Sequence, residues 1–67
     1  MNSPKFPGVV VKLTEEDGNA FSVLSKVKKA MQEFGCSKEE RNEYLHAATA
    51  GDYNHLLQIT MQTVTVE

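Results

Sequence analysis

Gly35-Cys36-Ser37-Lys38-Glu39-Glu40 is the stretch on which the reading of this chain turns. A glycine after an apolar-periodic run is a helix stop, because it takes the left-handed backbone without a Cβ penalty. Ser37-Lys38-Glu39-Glu40 fits the S-x-x-E capping box, in which the serine and glutamate side chains satisfy each other's backbone amides at a helix start. One helix closes and the next opens within a few residues. Further on, Gly51-Asp52 repeats the arrangement in shorter form, a stop followed by an N-cap acid. Residues 19–63 therefore read as three short helices.

Working outward, Ala20, Val23, Leu24, Val27, Ala30, Met31 and Phe34 recur at helical spacing and fill an arc of roughly 120°. They predict a first helix that starts at Asn19, or at Asp17 if the cap lies earlier, and ends at Gly35. Phe21 falls outside this arc, beside Lys28. The second helix has a narrow stripe, Tyr44, Leu45 and Ala48 with the stem of Arg41, and reads as a surface helix. In the third, Tyr53, Leu56, Leu57, Ile59 and Met61 spread over about 200° around Thr60. That is wider than one packing partner needs, so this helix either lies centrally or meets another chain. Leu57 is assigned to the core.

At the ends, Val9-Val10-Val11-Lys12-Leu13 is β-branched and puts Val9, Val11 and Leu13 on one face of a short strand. Thr63-Val64-Thr65-Val66-Glu67 alternates in the same way. Residues 14–18 form a polar turn in which Gly18 supplies a positive φ. Residues 1–8, with Pro4, Pro7 and Gly8, are expected to be a flexible N-terminal arm, and residues 9–67 a single small helical domain. The expected class is mainly α, of α+β type: three short helices bracketed by two short terminal strands that pair into a small ribbon. The direction of pairing stays open.

Sixty-seven residues make one domain near the lower limit for a core without a staple. Cys36 is the only cysteine, which excludes an intrachain disulfide and suits a reducing compartment. A net charge of −2 gives no overall pull toward nucleic acid or anionic lipid. No apolar run approaches the ~20 residues of a membrane span. Met1–Pro7 lacks the apolar stretch of a secretory signal, so the expectation is a cytoplasmic protein with no membrane partner.

Val11-Lys12-Leu13-Thr14, Glu16-Asp17-Gly18-Asn19-Ala20-Phe21 and Gly51-Asp52-Tyr53-Asn54-His55-Leu56-Leu57 resemble a family of small uncharacterised bacterial and phage-encoded proteins. Its members carry a V-K-L-T-x-E-D-G-N-A-F stretch near the start and a G-D-Y-D-H-L-L stretch near the end. The resemblance covers roughly residues 9–67. The chain departs from it at Asn54, where an acid is expected, and in Gln58–Gln62, where a tryptophan is expected. It implies a bacterial or phage origin and supports the fold, with no activity attached.

His46, His55, Asp52 and Cys36 are ligand types for zinc. Helical spacing sends His46 to the side of Glu39 and Glu43 and His55 to that of Gln58 and Gln62, both toward solvent, while Asp52 serves as a cap. No metal site is expected. Cys36, between a helix stop and an N-cap, reads as a small apolar residue whose pKa the helix N-terminus lowers somewhat. Asp17-Gly18-Asn19 carries one glycine, too few for a phosphate cradle, and acids beside it would repel an anion. The chain is thus expected to be no enzyme and to hold no cofactor.

Two surfaces remain. Phe21, Ile59, Met61 and Val10 are the candidate protein interface, formed by helix 3 and a strand edge, with an unknown protein or a second copy of the chain as partner. Phe6 is a further apolar residue outside the clear core. The alternative is weak nucleic-acid binding by Lys26, Lys28 and Lys29, with Lys12 adding to it only if the first strand lies alongside. Glu33 interrupts that cluster and Lys28 lies about 100° away, so nucleic acid is disfavoured.

Overall fold

The structure, a computed structural model, describes residues 4–14 and 18–67. Glu15, Glu16 and Asp17 of the expected turn, and a helix start at Asp17, lie outside the described residues. The elements are β1 (Phe6–Val11), α1 (Ala20–Phe34), α2 (Lys38–Ala48), α3 (Tyr53–Thr63) and β2 (Val64–Val66). They make the α+β arrangement read from the sequence, three helices between two terminal strands that pair with each other.

The helix boundaries follow from local chemistry. Asn19 caps α1 by accepting from the Ser22 amide at 2.9 Å. At the other end Gly35 sits at φ 106°, and the Cys36 amide donates to the Met31 carbonyl at 2.9 Å while that of Gly35 reaches Gln32 at 3.2 Å. This is the Schellman closure that the left-handed glycine permits. The capping box of α2 is complete: the Glu40 amide donates to Ser37 Oγ at 3.1 Å, and the Ser37 amide to Glu40 Oε1 at 2.7 Å. Asp52 caps α3 through the His55 amide at 2.9 Å.

Gly51 does not stop α2 by a left-handed turn. The helix ends at Ala48 with Thr49 as its C-cap, and the Thr49 hydroxyl donates to the Leu45 carbonyl at 2.7 Å. Gly51 is required for space instead. A Cβ there would stand 2.8 Å from Cγ and 2.9 Å from Cβ of His55.

The strands run parallel. Parallel strands need a long crossover, and the three helices supply it. Register runs Phe6 to Val64, then Val10 to Thr65 and Val11 to Val66, so Pro7, Gly8 and Val9 form a bulge on β1. The bulge explains why the strand begins at Phe6 rather than at Val9. Pro7 has no amide to donate, and its carbonyl accepts from Thr65 Oγ1 at 2.8 Å. At Gly8 a Cβ would lie 2.7 Å from Cε1 of Phe34, so the missing side chain lets that ring rest on the strand backbone. Just before the strand, the Lys5 amide donates to the Gln62 carbonyl at 2.9 Å.

The core gathers Val9 and Val11 of β1, Val23, Val27 and Met31 of α1, Tyr44 and Ala48 of α2, Leu56 of α3, Val64 of β2, and Cys36. Phe6, Leu13, Ala20, Leu24, Leu45, Leu57 and Ile59 pack against it, partly buried. Leu57 is thus a flank residue, and Leu56 the leucine of α3 that is fully inside. Phe34, assigned to the α1 core stripe, is 55% exposed because it sits at the helix end.

Thr60, the centre of the apolar arc of α3, is the buried polar residue among those described. Its hydroxyl donates to the Leu56 carbonyl at 2.8 Å, which leaves Tyr44 as donor in the 2.7 Å contact between the two hydroxyls. Among the described residues no buried side-chain nitrogen or oxygen lacks a hydrogen bond.

Candidate functional site

The strand direction decides which backbone groups β1 offers to a partner. Glu67 donates its amide to the Val11 carbonyl at 2.9 Å and accepts from the Leu13 amide at 3.4 Å. Val11 and Leu13 therefore turn their peptide groups toward β2. Alternation along the strand turns those of Val10 and Lys12 the other way. There Lys26 Nζ meets the Lys12 carbonyl at 3.5 Å. Among the described residues the sheet has two strands, so this outer side of β1 faces α1 across a groove rather than a third strand.

The groove measures about 210 Å³ and is lined by Val10, Val11, Lys12, Lys26, Lys29, Ala30 and Glu33. Lys26 and Lys29 come from the nucleic-acid candidates, and Lys12 joins them because the strand does lie alongside. Lys28 is not in the groove. It is exposed on another side of α1, some 80–100° round the helix from Lys29. Val10, with half of its surface exposed, forms the apolar part of the rim.

The other interface candidates are not brought together. Ile59 and Met61 are two residues apart and so about 160° apart around α3. Met61 is 62% exposed. Ile59 is half-buried and lines a cleft of about 80 Å³ with Lys5, Phe6, Tyr44 and Thr63, small for an organic substrate. Lys5 spans its mouth, 3.4 Å from Glu43 and 5.6 Å from the ring centroid of Phe6. Phe21 is 82% exposed on α1, in a shallow depression with Asn19, Ser22, Ser25 and Lys26.

Of the residues considered for chemistry, Asp52 and His55 have structural partners. His46 is exposed. His55 is not solvated as expected: it is half-buried, and its Nε2 lies 2.8 Å from the Ala47 carbonyl. A carbonyl can only accept, so Nε2 carries the proton and closes the C-terminal end of α2. Sequence spacing put His55 on the polar side of α3 and gave no sign that the end of α2 lies there. Among the described residues no three His, Cys, Asp or Glu side chains gather as a metal would require.

Cys36 also departs from expectation. Burial, and then the neighbouring Glu40 carboxylate, push its thiol up from the ordinary value, and the Arg41 guanidinium only partly opposes them. A raised thiol pKa works against nucleophilic use. Hydrogen bonds from the Ser37 backbone and side chain, with Lys5 nearby, hold the Glu40 carboxyl below its usual range against a smaller opposing effect of burial. Burial raises the Tyr44 phenol, and the bond to Thr60 partly offsets it.

Among the described residues no helix is long and apolar enough to cross a membrane. The chain matches no protein-family model, no curated protein and no solved structure, so its surface is read from its own residues.

Proposed function

We propose that this chain is a small non-enzymatic protein-interaction module of bacterial or phage origin that works in the cytoplasm. Its contact surface is the outer edge of β1, with the exposed flank of α3 at Met61 as a second, separate patch. One observation carries the reading: β1 turns the peptide groups of Val10 and Lys12 away from β2, its one strand partner among the described residues, next to a valine side chain that is half exposed. An open strand edge beside exposed apolar surface is the usual starting point for β-mediated association. Origin and compartment rest on the two sequence motifs and on the single cysteine.

The test compares the intact protein with Val10→Asp, Met61→Asp and a Lys28→Glu control, each shown by melting to be folded. Affinity capture from bacterial extract finds whether a partner is lost with Val10→Asp or Met61→Asp and kept with Lys28→Glu. Sedimentation asks the same question of a second copy. A strict monomer whose recovered proteins are identical for all variants refutes the reading.

A second reading, nucleic-acid binding, gains from Lys12 standing in the same groove as Lys26 and Lys29. It ranks behind because Glu33 shares that groove and Lys28 does not, which leaves few phosphate contacts where several are needed. Oligonucleotide titration at about 50 mM salt tests it. No shift at high micromolar protein removes it.

A further inference from the structure

The groove beside β1 also specifies the chemistry of what fits it. We propose that the outer edge of β1 binds an extended acidic segment of a partner protein, added as a third strand, with its carboxylates toward Lys29 of α1 and its apolar side chains beside Val10. This rests on the interaction-module reading and names its site and ligand.

Three features of the groove converge. The first is the backbone. The Lys12 carbonyl points outward, and its contact with Lys26 Nζ, at 3.5 Å, is at the long limit of a hydrogen bond. A peptide amide would approach at about 2.9 Å and displace that contact, and the peptide groups of Val10 are turned to the same side. The second is charge. Three lysines and one glutamate line the groove, a formal surplus of positive charge in a chain whose net charge is −2. An acidic segment is drawn to the lysines of this groove.

The third is periodicity. Strand side chains alternate in direction, and Val10 and Lys12 share the face of β1 opposite the buried Val9 and Val11, so an added strand that sends carboxylates toward Lys29 on α1 has every other side chain left for the face that carries Val10. Alternating acidic and apolar residues match such a site. A nucleic acid would use the lysines, yet neither the strand peptide groups nor the apolar rim answers to a phosphate backbone.

The experiment titrates isotope-labelled protein with the blocked pentapeptide Asp-Val-Glu-Val-Asp at about 50 mM salt. The comparison ligands are Lys-Val-Lys-Val-Lys, an N-methylated copy of the acidic peptide, and a short oligothymidylate. The expected result is movement of the Val10, Lys12 and Lys29 amide signals, with slower hydrogen exchange at Val10 and Lys12. Preference over the basic and N-methylated peptides should be at least about tenfold. Lys29→Glu should abolish it, and Lys28→Glu should change it by no more than about twofold.

Equal binding of the N-methylated peptide refutes strand addition. Binding that maps to Met61 and leaves β1 unmoved refutes this site while the interaction-module reading stands. Oligothymidylate binding at the lysines with no peptide binding refutes both. No binding of any ligand at millimolar concentration refutes the acidic-strand proposal, and the module reading then depends on the capture experiment alone.

Discussion

Replacing Thr60 by valine should reveal how much the core relies on one polar pair. The Thr60 hydroxyl is fully buried, accepts a hydrogen bond from the Tyr44 hydroxyl at 2.7 Å and donates its own to the Leu56 carbonyl at 2.8 Å. Valine keeps the shape and removes the acceptor. The Leu56 carbonyl retains its helical amide, so it stays satisfied. Tyr44 loses its Thr60 acceptor where water cannot replace it, because it is only 3% exposed. A buried donor stripped of its partner costs about 1–3 kcal/mol.

The complementary change, Tyr44→Phe, leaves Thr60 still donating to Leu56 and should cost about 1 kcal/mol or less. Combining the two leaves an apolar pair with nothing unsatisfied, so the double variant should be less destabilised than the sum by roughly 1 kcal/mol. For a domain of this size each kcal/mol moves Tm by about 4–8 °C, well within calorimetric reach. Urea melts give the same comparison if the m-values agree. Strict additivity of the two changes would refute the donor chain.

The same pair sets a limit at high pH. Burial raises the Tyr44 phenol, so its contribution is fully present below the unfolded value near 10 and is lost as pH climbs from there through the folded pKa. Tyr44→Phe should lack that alkaline loss.

Leu56→Ala should cost about 2–5 kcal/mol, enough to unfold much of so small a domain, whereas Leu57→Ala should cost clearly less because Leu57 only flanks the core; equal thermal shifts would reverse this ranking. Gly51→Ala should push the His55 ring off the Ala47 carbonyl, and its penalty should largely vanish in a His55→Ala background, as a double-variant melt would detect. Ser37→Ala should cost about 1 kcal/mol. The lowered Glu40 carboxyl stabilises the fold above its unfolded value near 4.3 and less as pH falls through the folded pKa, so acid melts of Ser37→Ala should show a weaker dependence in that range.

What the sequence disclosed was whatever four or five consecutive residues settle between themselves. Ser37 and Glu40 meet within one helical turn, and Gly35 closes its helix through amides next to it, so both were readable as letters. Gly51 was readable as a boundary and misread as to cause, because the side chain it makes room for belongs to the next helix. His55 lies on the polar side of its own wheel and is drawn inside by the end of α2. Phe6–Gly8 reads as part of an arm because Pro7 and Gly8 argue against a strand, and only the pairing with β2 shows a bulge that tolerates both. Of the candidate surface, Val10, Lys26 and Lys29 were named from sequence. Their meeting with Lys12 depends on how α1 crosses β1, which no local pattern encodes.

The topology ties the strand edge to the integrity of the whole fold. Pro7 and Thr65 bond across 58 positions of sequence, whereas the helix ends are closed by residues no more than 8 positions away. Helices of this length are marginal alone and form early only with packing, and pairing the chain ends requires closure of the loop that contains all three. The outer side of β1 is therefore presented in a fixed geometry only once β2 has docked and α1 has covered Val9 and Val11. A strand added there binds the native state and not the unfolded chain, so it must raise Tm by mass action, by about 2.7 kcal/mol of stability at a ligand concentration one hundred times Kd. Thr65→Val removes the hydroxyl that holds the Pro7 carbonyl and touches nothing in the groove. If the edge is built by strand docking, this remote change should weaken binding of the acidic peptide by more than the fraction of chain it unfolds, and an unchanged affinity per folded molecule while stability falls would separate the groove from the sheet.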